Sequence, residues 1–255
     1  MKISAIVLTK NEEKNIERCL KSLDFCDEII IVDDYSTDKT IEIINNVGNK
    51  NLCSVHKRQL NNDFAQQRNF GLSKANNEWI LFVDADEEVS KELKKEIVSL
   101  FHGSIVKENA FYLRRIDYFW NHELKFGEIK KVRIRLLKKN SGTWMGNVHE
   151  EFRIKNSKLK IAKLNNYINH YPHPTLKEFI SDVNNYSSIR AEELFNRGTK
   201  TNVFEIIFLP FGKFIYNYFF NLGFLDGAVG FTYSFMMSFH SFLVRSKLYQ
   251  LTNKQ

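Results

Sequence analysis

Two acidic clusters each follow directly on a short apolar run. Asp33-Asp34 follows Glu28–Val32, and Asp84-Ala85-Asp86-Glu87 follows Trp79–Val83. An Asp after a strand can simply make a turn or cap the next helix, and a single instance reads that way. Two clusters at equivalent ends of two strands read instead as a site. Four carboxylates gathered at one rim repel each other unless a cation or hydrogen-bond donors compensate. Hard divalent cations prefer carboxylate oxygens together with phosphate oxygens. The spacing Asp84-Ala85-Asp86 lets one side chain hold a metal while the other reaches a ribose or a phosphate.

The elements that must position these residues are legible around them. Ile3–Leu8 is a continuous apolar run, as a strand buried on both faces requires. Asn11 is placed to cap a helix with Ile16, Cys19, Leu20 and Leu23 on one face. Glu28–Val32 leads into a helix carrying Ile41, Ile44 and Val47, and Leu52–His56 reads as a third strand. Asp63 can cap a helix with Phe64, Arg68, Leu72 and Ala75; Trp79–Val83 is a fourth strand, and Ser90 starts another helix. This alternation predicts an α/β fold, a mostly parallel sheet flanked by helices. Ligands of such sheets bind outside the carboxyl ends of the strands, where both acidic clusters fall. After Gly103 the pattern changes. Ala110–Tyr118 and Lys131–Leu137 read as strands, Trp144–Phe152 as a loop and Thr175–Phe195 as an amphipathic helix.

Composition excludes several classes. Hydrophobic residues make up 43% and charged residues 26% of the 255, so the chain is globular rather than disordered. The net charge of +7 suits an anionic partner, yet the basic residues are scattered and no nucleic-acid motif is present. No Gly-x-Gly-x-x-Gly follows the first strand, which argues against a nicotinamide-dependent oxidoreductase. The absence of glycine from Thr9–Asn15 argues against a sugar nucleotidylyltransferase. Three cysteines without metal-ligand spacing, and an N-terminal apolar run too short for an export signal, lead us to expect a reducing cytoplasmic setting.

Four segments carry a resemblance: Ala5-Ile6-Val7-Leu8-Thr9-Lys10-Asn11-Glu12-Glu13, Val32-Asp33-Asp34-Tyr35-Ser36-Thr37-Asp38-Lys39-Thr40, Gln67-Arg68-Asn69-Phe70-Gly71 and Phe82-Val83-Asp84-Ala85-Asp86-Glu87. In this order they resemble glycosyltransferase family 2. Tyr35 departs from the pattern, which has Gly there. The resemblance implies a GT-A, Rossmann-like fold and an inverting hexosyl transfer from a UDP-sugar, with Mg2+ or Mn2+. It implies that Thr9, Glu12 and Asp33 line the nucleotide pocket, that Arg68 neighbours the nucleotide, and that Asp84 and Asp86 hold ribose, diphosphate and metal. Trp144-Met145-Gly146-Asn147-Val148-His149-Glu150-Glu151, His170-Tyr171, Asn185-Tyr186-Ser187 and Gly223-Phe224-Leu225-Asp226-Gly227 look like the branch containing lipopolysaccharide core β-1,4-glucosyltransferases. That branch implies glucose as the sugar and a lipid-linked glycan as the acceptor. A catalytically inactive sugar-binding protein is the alternative.

An inverting transfer needs a base for the acceptor hydroxyl and compensation for the departing diphosphate. Glu150 is the candidate base, Glu151 its nearest rival, and His149 could orient Glu150 or bind an acceptor hydroxyl. Trp144 suits either stacking on an acceptor sugar or a place in the core. His170 could approach the metal or the diphosphate, or merely mark a helix boundary. Arg133 and Arg135 alternate along a strand and face either an anionic acceptor or solvent. We expect a catalytic domain over 1–170 (nucleotide-sugar half 1–103, acceptor half 104–170) and a helical, aromatic extension over 171–255. No uninterrupted apolar run of about 18 residues occurs, so no membrane span is expected. The aromatic, basic stretch after Val203 fits peripheral contact with the cytoplasmic face of the inner membrane, or a homo-oligomer contact.

Overall fold

The structure is a computed structural model, which describes residues 1–47, 52–103, 106–127, 132–146, 150–173 and 175–253. The chain divides into two compact units, Met1–Arg115 with Lys131–His170, and Ile116–Lys130 with Tyr171–Gln255.

The first unit opens with β1 (Ile3–Thr9), α1 (Ile16–Ser22), β2 (Glu28–Asp33), α2 (Thr40–Val47), β3 (Cys53–Lys57), α3 (Phe64–Lys74) and β4 (Trp79–Asp84). β5 (Glu87–Val89) and α4 (Lys91–Gly103) follow, then β6 (Ala110–Phe119), whose last residues belong to the second unit together with β7 (His122–Glu123). β8 (Val132–Lys138), β9 (Gly142–Met145), β10 (Glu151–Ile154) and β11 (Ile161–His170) complete the first unit. The sheet order is β3-β2-β1-β4-β8-β6-β11-β5. β3, β2, β1 and β4 are parallel, as the buried apolar runs require. β8 lies antiparallel to β4 and β6, and β11 antiparallel to β5, so the sheet as a whole is mixed.

β1 is buried along its whole length, with core on both faces. Ala5 and Val7 join one cluster with Ile16, Leu20 and Leu93; Ile6 and Leu8 join the other with Ala65, Phe82 and Trp144. Three caps fall where the pattern placed them: Asp63 accepts from Gln66 N–H, Ser90 from Leu93 N–H and Thr175 from Glu178 N–H. Asn11 does not cap. Its φ is +54°, and its Oδ1 accepts the Thr37 N–H at 2.8 Å, so it ties the loop after β1 to the loop after β2. The expected loop over 144–152 is partly a hairpin in which β9 and β10 pair antiparallel, Trp144 opposite Phe152.

The second unit contains α5 (Leu176–Asn196), α6 (Val203–Ile215), a π-helical turn over Tyr216–Phe220, a 3-10 turn over Gly223–Asp226 and α7 (Gly227–Thr252). Its core joins Phe119, Leu124, Phe179, Val183 and Met236. Among the described residues, Val203–Phe220 is one helical stretch long and apolar enough to cross a membrane by length and composition. The expectation of no span rested on an uninterrupted run; averaged over the stretch, Glu205 and Lys213 do not offset the apolar residues.

Candidate active site

Thr9 is opposite Asp33 in the β1–β2 register, and Leu8 is opposite Asp84 in the β1–β4 register. Both acidic clusters therefore meet at one carboxyl rim. β5 then turns back against β11 with Glu87 opposite His170, which carries the imidazole to the same rim. His170 Nε2 lies 3.1 Å from Asp86 Oδ2.

The carboxylates there are compensated by arginines. Arg68 Nη2 donates to both oxygens of Asp84 at 2.9 and 3.2 Å, and Arg68 Nε donates to Glu150 Oε1 at 3.1 Å. Arg135 donates to Asp84 Oδ2 at 3.1 and 3.2 Å and to Glu87 Oε1 at 3.0 Å. Glu87 also accepts the Asp84 backbone N–H at 2.9 Å, which fixes the turn between the strands. Arg133 Nη1 stands 3.7 Å from Glu150. Burial alone would raise the pKa of Asp84, but Arg68 and Arg135 hold it well below the usual carboxylate range. Burial likewise opposes ionisation of Asp86, and His170 outweighs it and lowers the pKa. For Glu87 burial wins over Arg135, and its pKa is raised. Burial lowers the pKa of Arg133, with repulsion from Arg135 adding to it.

Asp33 is fully buried, and its carboxylate accepts from the Ser36 N–H and, at 2.5 Å, from Ser36 Oγ. Between them Tyr35 adopts φ +53°. Glycine takes that conformation freely, whereas a tyrosine adopts it at a cost. Glu12 Oε2 accepts from Asn15 Nδ2 at 2.8 Å. Thr9 Oγ1 and Arg68 Nη1 are buried and meet no hydrogen-bond partner among the described residues.

Two expected acceptor contacts are corrected. Trp144 is 4% exposed; it packs edge-on against Phe82 and Phe152, and the Arg68 guanidinium lies over its ring at 5.1 Å. It is a core residue supporting Arg68, with no free face for a sugar. Arg135 is 4% exposed and committed to Asp84 and Glu87, whereas Arg133 keeps about a third of its side chain in solvent. Glu150 is buried beside Arg68, and Glu151 is exposed on β10. His149 lies outside the described residues. Arg115, which acts electrostatically on Asp86 and Glu87, was not singled out in the sequence; the signal was its place two residues after Leu113, on the same face of the strand paired with β8.

Residues 4–153 match the profile of glycosyl transferase family 2. The chain belongs to this family. An uncharacterized glycosyltransferase of Rickettsia typhi is 30% identical over 264 residues, covering 99% of this chain and 88% of that protein. The lipopolysaccharide core biosynthesis glycosyltransferase LpsC of Rhizobium meliloti is 26% identical over 253 residues, covering 97% of this chain and 92% of LpsC. Among solved structures, Mycobacterium tuberculosis glucosyl-3-phosphoglycerate synthase, in complex with Mn2+, UDP and phosphoglyceric acid, superposes with a TM-score of 0.50 at 14% identity. It covers 79% of this chain and 80% of the synthase. The glycosyltransferase thus has the GT-A fold its first hundred residues announce.

Proposed function

We propose that this glycosyltransferase moves a hexose, glucose by resemblance, from a UDP-sugar to a glycan acceptor of the lipopolysaccharide core, with inversion at the anomeric carbon and with Mg2+ or Mn2+. The work is assigned to the cytoplasmic face of the inner membrane. The role of LpsC in lipopolysaccharide core biosynthesis supports the acceptor class, and the synthase bound to UDP and Mn2+ supports the donor and the metal.

The observation that carries the reading is the meeting of Asp86 and His170 at the rim formed by Thr9, Asp33 and Asp84. The carboxylate of Asp86 and the imidazole of His170, 3.1 Å apart, are the donor types that a hard divalent cation would accept beside a diphosphate. Among the described residues no group of three or more His, Cys, Asp or Glu is placed to hold a metal, so a cation there would need oxygens of the donor as well. Asp86 and His170 would hold the ion, which when bound neutralises charge on a diphosphate.

The chain's own groups supply the rest. Arg68 Nη1, a buried donor that meets no partner among the described residues, is assigned to a diphosphate oxygen, and Thr9 Oγ1 to the nucleoside. Asp33, positioned by Ser36, lies beside Thr9 on the nucleotide side. Glu150 is assigned as base, because Arg68 ties it to Asp84 and hence to the reaction centre, which Glu151 on the exposed face of β10 does not share.

A donor screen reading nucleotide release in the presence of Mg2+ or Mn2+ tests this. Asp86→Ala should abolish metal-dependent UDP release and leave the melting temperature near that of the wild type. Full release by Asp86→Ala in chelator-treated buffer would remove the metal from the reading, and release from a non-uridine donor only would replace the UDP-sugar.

A further inference from the structure

Between Val203 and Leu225 the second unit is built inside out. Every large side chain that is exposed there is apolar: Phe204 and Phe220 each at 74%, Phe211 at 62% and Phe208 at 60% lead the set. Of the polar residues in or next to this stretch, Asn217 is fully buried and Asp226 is 6% exposed, Lys213 and Asn221 are half-buried, and Glu205, its side chain 38% exposed, is paired with Thr201 at 2.8 Å and Arg245 at 3.5 Å. At about 100° per residue, the exposed apolar positions from Val203 to Phe220 sweep more than half of the helix circumference. A protein partner covers a patch bounded by a polar rim. Here the polar groups at the edge are few, Asn202, Glu205 and Lys213, against exposed apolar side chains over more than half the circumference, an arrangement that suits an apolar solvent.

We propose that α6 and the π-helical turn after it lie in the plane of a lipid bilayer, embedded among the acyl chains just below the headgroups. A transverse span does not suit the contacts made by the turn that follows. Asn221 O accepts the Gly127 N–H at 2.9 Å, and the Asp226 carboxylate accepts the N–H groups of Lys125 and Phe126 at 3.0–3.3 Å. The tip is thereby tied to a segment carrying exposed Lys125 and His122, which would have to enter the hydrocarbon with it. Such charges are costly there. α7, which packs against both α5 and α6, is likewise held to the unit rather than free to pair α6 across a membrane. An in-plane helix exposes its apolar arc to lipid and leaves these contacts intact.

The test uses the full-length chain, purified in detergent and diluted into phosphatidylcholine vesicles for flotation. Apolar burial predicts co-flotation that survives about 0.5 M salt, where charge attraction is screened. Phe204→Glu with Phe220→Glu, at positions too exposed to affect the fold, should weaken partitioning at least about 100-fold and leave the circular dichroism melt unchanged. Single Phe204→Trp and Phe220→Trp variants, read against the three native tryptophans, should be quenched alike by lipids brominated near the headgroup. Failure of the wild type to float, or binding only to anionic vesicles at low salt, overturns the proposal. So does a defined dimer that the double substitution dissolves without any vesicle binding. A large depth difference between the two tryptophans overturns the in-plane placement. UDP binding by the double variant separates this outcome from the catalytic reading, which does not depend on it.

Discussion

At the scale of single residues, the rim is a lattice of carboxylates and guanidiniums in which Arg68 is the node. It reaches Asp84 with Nη2 and Glu150 with Nε, and it rests on the Trp144 ring. A lysine could not make both bonds, because its donors radiate from one atom. The sequence displayed Asp84, Asp86, Arg68 and Glu150 as types but not their pairing, since residues 16 and 82 positions apart meet only through the register of the sheet. Trp144 and Arg135 were legible as chemistry and not as burial, because alternation along one strand does not reveal which face is covered. Glu150→Gln keeps an oxygen for Arg68 but cannot take a proton at neutral pH. Turnover on the true acceptor should fall about 10²–10⁴-fold, the usual worth of a general base. UDP affinity measured by calorimetry should stay near the wild-type value. If Glu151→Gln shows this signature instead, the base moves by one residue; if affinity falls and turnover does not, Glu150 serves only to hold Arg68.

At the scale of elements, α3 must sit close against β1 for Arg68 to reach the rim. Gly71 permits this. A Cβ there would come 2.5 Å from Ile6 Cγ2 and 3.3 Å from Val32 Cγ2, both branched side chains fixed in the sheet. Gly71→Ala gains roughly 1 kcal/mol of helix propensity and meets an overpacking cost of about 1–3 kcal/mol. The net should be a loss of stability of up to about 2 kcal/mol by urea titration, together with weaker UDP binding as α3 lifts Arg68 from Asp84. A stabilised variant with unchanged UDP affinity would show that the close approach is not needed. The parallel strands were legible because each is a short apolar run, and their shared direction followed from the alternation with helices, whereas their order β3-β2-β1-β4 did not. β9 and β10 were not: Gly142–Met145 and Glu151–Ile154 are short, and half of each is exposed. β5 was hidden inside an acidic run whose strand character comes only from pairing with β11.

At the scale of the whole molecule, the assignment of Ile116–Lys130 to the C-terminal helices could not be read from sequence order, because it rests on bonds such as Lys125 N–H to Asp226, 101 residues apart. The electrostatic design of the first unit, by contrast, has a consequence for the stability of the fold as pH changes. Asp84 is ionised in the folded state down to a pH well below the ordinary carboxylate range, because Arg68 and Arg135 favour its charged form. A group with a depressed folded pKa stabilises the fold above its unfolded pKa of about 3.9, and that contribution fades as pH falls toward the folded value. Asp84→Asn removes the charge at every pH and leaves two buried guanidiniums with less compensation. The variant should therefore be less stable than the wild type from pH 7 down to about pH 4, by a nearly constant margin. Below that the margin should shrink, since the unfolded wild-type chain takes up a proton at Asp84 that the folded state binds only at much lower pH. Glu87 contributes the opposite slope: burial raises its pKa, so that protonation on acidification favours the fold, and because the Asp84 charge adds to that rise the slope is smaller in the variant. Urea titrations of the two proteins at pH 7, 5, 4 and 3 measure the margin directly. A margin that stays constant to pH 3, or widens, would mean that Asp84 is not held by Arg68 and Arg135 as a buried charge.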